Sequence, residues 1–190
     1  MLKKPVILSL VASLFFVLGA CSNENGETKE NNEEHTGHSN MDHSEMNHSS
    51  TGEVPEGLKE AENPTYEVGS QAMLETDHMK GMKGAEATIV GAYDTVAYVV
   101  SYTPTTGGER VENHKWVIHE EVKGAGEEKL APGTEVTLAA DHMEGMKGAS
   151  AVIESAEETT VYMVDYTPTT GGEEVKNHKW VTENELSPAK

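Results

Sequence analysis

Two stretches of the chain alternate apolar and polar side chains with the two-residue period of a half-buried strand. Tyr98, Val100 and Tyr102 fall on one face of the first. Tyr162, Val164 and Tyr166 fall on one face of the second, with Val161, Met163 and Asp165 on the other. Each stretch runs into Thr-Pro-Thr-Thr-Gly-Gly-Glu, whose Pro and paired Gly predict a hairpin loop longer than a two-residue turn. A return strand follows in each case, Val-x-Asn-His-Lys-Trp-Val, with His178 and Trp180 on one face of the second. Upstream, Val136 and Leu138 alternate and Ala149–Ile153 reads as a separate short strand. Downstream, Thr-Glu-Asn-Glu-Leu predicts one helical turn before a last short strand.

The pattern occurs twice. Gly69–Val122 aligns without a gap on Gly133–Leu186, identical at roughly 31 of 54 positions, far above chance. Four or five short strands in each copy, meeting at a Gly-rich turn, predict an all-β protein. The expected architecture is two tandem small SH3-like β-barrels, over residues 66–123 and 130–190, joined by a Gly/Glu/Pro linker. Closure would hide the strand edges that a small sheet exposes.

The first 65 residues differ in kind. Met1–Lys4 is basic, and the apolar run that follows is too short to span a bilayer. It ends in Leu18-Gly19-Ala20-Cys21, a small-residue site before a cysteine. Residues 1–20 therefore read as a lipoprotein signal peptide and Cys21 as its lipidation site. The expected location is the extracytoplasmic face of a bacterial cell membrane, with the membrane itself a partner through the lipid anchor. Cys21 is the single cysteine, so no disulfide forms within the chain. Residues 21–65 are rich in Asn, Glu, Ser, Gly and His and nearly lack aliphatic residues. Such a segment buries too little to offset ordering entropy and is expected to be a disordered tether.

Composition narrows function. The net charge is −19, and removing a leader that holds two Lys and no acid makes the remainder more acidic still. Nucleic acid and anionic headgroups, which basic patches bind, are excluded as partners. Both Phe residues, Phe15 and Phe16, lie in the leader, so the core draws on Tyr, Trp116 and Trp180. The chain carries no G-x-S-x-G, P-loop or H-E-x-x-H pattern, and it reads as non-enzymatic.

Two places gather metal-ligating side chains. In the tail, His35, His38, Met41, His43, Met46 and His48 stand within fourteen residues. Thioether sulfur suits Cu(I), and imidazole suits Cu(II), Zn(II) and Ni(II). In the repeats, His78, Met79 and Met82 recur as His142, Met143 and Met146 within D-H-M-x-G-M-K-G-A. Two readings of that motif stand side by side. The glycine bends the chain so that imidazole and both sulfurs converge on a metal, or the glycines serve positive φ in a turn while the methionines fill a Phe-free core. His114 and His178 read first as rim residues beside the tryptophans.

The lipobox, the His/Met tail and the paired HMxGMKGA…YTPTTGGE…NHKWV blocks together resemble the YdhK family of bacterial surface lipoproteins. The resemblance covers nearly the whole chain after the leader. It implies an envelope lipoprotein with two related β domains, no established reaction, and an occasional association with copper. Copy one departs at His119 and Glu120, where copy two has Glu183 and Asn184. The expected function is binding or buffering of copper or a similar metal ion outside the cell. The alternative is an interaction module that binds an envelope protein or wall polymer, the tail being only a tether.

Overall fold

The computed structural model describes residues 49–189. The leader, Cys21 and the tail ligands His35, His38, Met41, His43, Met46 and His48 lie outside the described residues. All regular structure among the described residues is β or 3-10, and no helix there is long and apolar enough to cross a membrane. The strands are β1 (Lys59–Glu60), β2 (Gln71–Leu74), β3 (Glu86–Tyr102), β4 (Val111–Ile118), β5 (Glu135–Thr137), β6 (Ser150–Tyr166), β7 (Val175–Thr182) and β8 (Leu186–Pro188). They pair antiparallel in one open sheet of order β5-β6-β3-β2-β8, with β1 and β4 also on β3 and β7 on β6.

The spine is the pair β3–β6. Its register runs from Ala87↔Tyr166 to Tyr102↔Ala151. Each strand has 17 residues, a span of about 55 Å. The two short strands expected at 149–153 and 159–167 are thus one continuous strand. No Pro or Gly interrupts residues 150–166, and Thr159, Thr160 and Val161 supply β-branched character.

Three buried clusters follow from this pairing. The first sets Leu74, Met82, Ala87 and Ile89 of copy one against Tyr162, Val164, Tyr166, Val181 and Leu186 of copy two. The second reverses the roles: Tyr98, Val100, Tyr102 and Val117 of copy one meet Leu138, Met146, Ala151 and Ile153 of copy two. The third, with Tyr93, Val99, Val161, Met163, Trp116 and Trp180, draws on both copies. The face assignments of Tyr98/Val100/Tyr102 and Tyr162/Val164/Tyr166 therefore hold.

The expectation that each copy closes its own barrel is corrected. Each lobe is built from the first half of one copy and the second half of the other. In the first lobe the order is β8, β2, the first half of β3, the second half of β6, then β7, with a 3-10 turn at Glu183–Glu185 between β7 and β8. The second lobe repeats this with the copies swapped. There a Val122↔Leu138 bridge stands where β8 pairs β2, and the 3-10 turn is His119–Glu121. The physical cause is twofold. The copies present closely similar core side chains to either partner, and an unbroken β3 carries the chain past its own lobe.

Residues 49–65, expected as part of the tether, are docked on the sheet instead. Within 49–65, Ser50 N donates to Lys176 O at 2.9 Å and Ala61 N to Ala92 O at 3.0 Å. β1 pairs with β3, while Leu58, Ala61 and the neighbouring Tyr66 pack on the core clusters. Within this stretch Leu58 and Ala61 are the apolar side chains that dock it on the core.

Candidate functional site

The repeated His-Met-x-Gly-Met motif forms a turn. Met82 N donates to Met79 O at 3.1 Å and Gly84 N to Leu74 O at 2.7 Å, with φ of +80° at Gly81 and +77° at Gly84. The turn sits on the hairpin loop of the other copy. Thr169 donates to Gly81 O from its backbone N at 2.8 Å and from Oγ1 at 3.1 Å. Thr105 does the same to Gly145 O at 2.9 and 3.2 Å. The two blocks of sequence most alike between copies are therefore each other's docking partners.

This contact sets the prediction for the glycines. A Cβ on Gly81 would meet Thr170 Oγ1 at 2.6 Å and Pro168 at 3.0 Å, whereas one on Gly84 would meet nothing within 4 Å. Gly81→Ala is expected to cost about 2–4 kcal/mol from left-handed strain and overpacking together. Gly84→Ala carries the strain alone, about 1 kcal/mol. Urea unfolding of both variants measures the difference, and equal losses would remove the hairpin contact as its cause.

The turn divides the predicted ligands. Met82 and Met146 are fully buried in the two lobes' cores. For Met82 and Met146 this burial favours the core-filling reading of the motif over convergence with His78 and Met79, or His142 and Met143, on one ion. The glycine turns the second methionine inward, where a flexible thioether fills a core without Phe. His78, Met79, His142 and Met143 instead line one cleft of about 1700 Å³, together with His114, His178, Lys115 and Lys179.

Each turn histidine is held by a carboxylate from the other copy. His78 Nε2 lies 2.7 Å from Glu185 Oε1, and Glu185 Oε2 accepts from Trp116 Nε1 at 2.8 Å and Thr182 N at 3.1 Å. Thr76 Oγ1 adds a hydrogen bond to Glu185 Oε1 at 3.1 Å. His142 Nε2 lies 2.7 Å from Glu121 Oε1, while Glu121 Oε2 accepts from Trp180 Nε1 at 3.1 Å and Ile118 N at 3.2 Å. Burial alone would raise the Glu185 carboxyl. The His78 hydrogen bond and charge, with the Trp116 and Thr182 donors, outweigh it and hold the group down at about 2.

Glu121 and Glu185 were not among the predicted site residues. Carboxylates are too abundant in this chain for one to stand out. The available signal was their alignment: both copies keep Glu at this position although the two residues before it differ.

A carboxylate on Nε2 leaves the other ring nitrogen to act. The Nδ1 atoms of His78 and His142 are buried and find no hydrogen-bond partner among the described residues. Around His142 the neighbours are chemically apt. The His114 ring lies 6.3 Å away, and the Tyr102 hydroxyl, 3.9 Å from Met143 Sδ, orients that thioether. His114 packs edge-on to Tyr102 at 5.9 Å and His178 to Tyr166 at 5.8 Å, and both line the cleft. Burial raises the phenol of Tyr102, and that of Tyr166 to about 12, which keeps both protonated. Among the described residues no three His, Cys, Asp or Glu side chains gather as a metal site, so any ion held here draws on thioether sulfur as well.

The family model described as "Protein of unknown function (DUF1541)" matches residues 68–119 and 132–183. The "Uncharacterized protein YdhK" of Bacillus subtilis (strain 168) is 64% identical over 189 residues, 98% of this chain and 90% of the relative. A crystal structure of YdhK from that organism, at 2.00 Å resolution, superposes with a TM-score of 0.74 at 69% identity, covering 77% of this chain and all of that one. The solution structure of the YdhK C-terminal domain gives a TM-score of 0.62 at 71% identity, covering 64% of this chain and 92% of that one. With both copies matched in tandem and a relative this similar over nearly its full length, the chain belongs to the DUF1541 family, of which YdhK is a member.

Proposed function

We propose that this chain is a non-enzymatic lipoprotein, anchored through Cys21 at the extracytoplasmic face of the cell membrane, that binds copper or a similar soft-to-borderline metal ion. The observation that carries the reading is the pair of buried, unpartnered Nδ1 atoms on His78 and His142, each on a ring fixed by a carboxylate at Nε2. Metal-ligating histidines commonly have this carboxylate behind them, since it sets the tautomer and raises ligand basicity. Met79 and Met143 supply sulfur in the same cleft, which favours Cu(I) over harder ions. The chain enters that cleft at Ser49. In sequence His48 immediately precedes Ser49, and Met46 and His43 stand two and five residues further back. In this reading the tail captures the ion and the cleft holds it.

We read each lobe as an SH3-like barrel with exchanged halves. The support is the five-strand order with a 3-10 turn before the last strand, kept in both lobes.

The test is an anaerobic Cu(I) competition titration, run beside Cu(II) and Zn(II), on chains starting at Ser22 and at Ser49. The shorter form is expected to keep two Cu(I) sites. Met79→Leu with Met143→Leu, a volume-conserving pair, should weaken them at least ten-fold without moving the melting temperature. The chain from Ser22 should bind additional ions, lost when His35, His38, His43 and His48 become Ala together with Met41 and Met46. Undiminished affinity of the shorter form after the Leu pair would remove the cleft from the proposal. Weak binding by every form would favour the interaction module.

A further inference from the structure

The internal duplication provides its own control for an interaction surface. Residues 49–55 form a strap along the edge of β7. Ser49 Oγ accepts from Lys176 N at 2.8 Å, Ser50 N donates to Lys176 O at 2.9 Å, and Ser50 Oγ donates to Asn177 O at 2.7 Å. The Asn177 amide returns a hydrogen bond to Ser50 O at 3.2 Å, and the Lys179 ammonium donates to Glu53 O. Gly52 lies against the Asn177 amide so closely that a Cβ there would stand 3.2 Å from three of its atoms.

Copy one carries the same seat. Asn113 and Lys115 stand where Asn177 and Lys179 do, and Asn113 has the same left-handed backbone, φ 53° against 52°. In each copy a side-chain oxygen one strand away fixes that backbone, Ser101 Oγ on Asn113 N and Asp165 Oδ1 on Asn177 N. The difference is coverage. Asn177 and Lys179 are half-buried beneath the strap, whereas Glu112, Asn113 and Lys115 are exposed. The cleft remaining beside the strap runs along Val111–Lys115, so the space is there.

We infer that the exposed edge of β4 over Val111–Lys115 is a docking site for an extended segment of a second polypeptide, one carrying the pattern Ser-Ser-x-Gly that the strap presents to β7. Main-chain pairing at Glu112 supplies the register, as in strand addition to a sheet edge. The Asn113 amide takes the carbonyl of the second Ser and lies where any side chain at the Gly position would press on it. Lys115, now 3.7 Å from Glu185, takes the carbonyl beyond the Gly. The strap itself does not fill this seat, because its own β7 edge holds it within one chain at far higher effective concentration. The inference stands apart from metal binding.

The test uses the chain from Ser22, isotopically labelled and kept in chelator, titrated with a synthetic peptide of the strap sequence Ser-Ser-Thr-Gly-Glu-Val-Pro and followed by NMR. Saturable one-to-one binding is expected, with shifts confined to residues 111–116 and the cleft beside them. Replacing the peptide's Gly by Ala leaves the protein untouched and should weaken binding at least roughly ten-fold. Asn113→Gly, which suits the left-handed backbone and removes only the amide, should do the same. Absence of binding at millimolar peptide would overturn the inference. So would shifts at 176–179, which would mean only displacement of the strap, or an affinity indifferent to both changes.

Discussion

Cutting the chain between its copies, into residues 49–127 and 128–190, is expected to abolish folding of either piece as a monomer. Copy one alone would keep Leu74, Met82 and Ile89 but lose Tyr162, Val164 and Tyr166, the other wall of the first core. It would also keep Tyr98, Val100 and Tyr102 facing an absent Leu138, Met146 and Ile153. Each of these buried side chains is worth about 1.5–3 kcal/mol on removal from water, and each piece loses half of two clusters. That exceeds the 5–15 kcal/mol by which domains are usually stable. Circular dichroism and sedimentation should find each piece unfolded or self-associated through its long strand. Mixing the two should restore a one-to-one complex with a cooperative melt. A single piece that melts cooperatively as a monomer would show that a copy can close on itself.

The same exchange explains what could be read from the sequence. Alternation at Tyr98–Tyr102 and Tyr162–Tyr166, the Pro/Gly-Gly hairpin loops and the final 3-10 turn with its short strand are local. Period and turn chemistry suffice for them. Partner choice is not local. With Y-x-V-x-Y in both copies, pairing within a copy and pairing across copies satisfy the same pattern, so alternation cannot tell them apart. The Gly81 turn was ambiguous for a related reason. What decides it is Thr169, 88 residues away on the other copy, and no spacing rule reaches that far. The histidine half of the site was legible as an unusual residue in a repeated motif. The carboxylate half was not, because Glu121 and Glu185 act through a tertiary contact and stand in a chain with 33 acidic residues.

Removal of that carboxylate should be the most damaging single change near the site. Glu185→Ala is expected to cost about 3–5 kcal/mol, because it strands four groups at once: the His78 Nε2, the Trp116 indole N–H, the Thr182 backbone N–H and the Thr76 hydroxyl. Glu121→Ala should do likewise to His142, Trp180 and Ile118 in the other lobe. Glu185→Gln keeps the shape but only one acceptor oxygen, so about 1–3 kcal/mol is expected, from the lost charge and from an amide N–H₂ set against other donors. A pH series isolates that charge. The folded Glu185 carboxyl is held at about 2, below the unfolded value of about 4.3. The unfolded chain therefore binds the proton first as pH falls. The stabilisation is complete above the unfolded value and drains away as pH drops toward 2. In metal-free protein the stability gap between the native chain and Glu185→Gln should accordingly be constant from neutral pH to about 5, then close. A gap that persists unchanged at pH 2.5 would mean that shape, not charge, is what Glu185 contributes. The carboxylate's charge would then not be what holds the His78 ring.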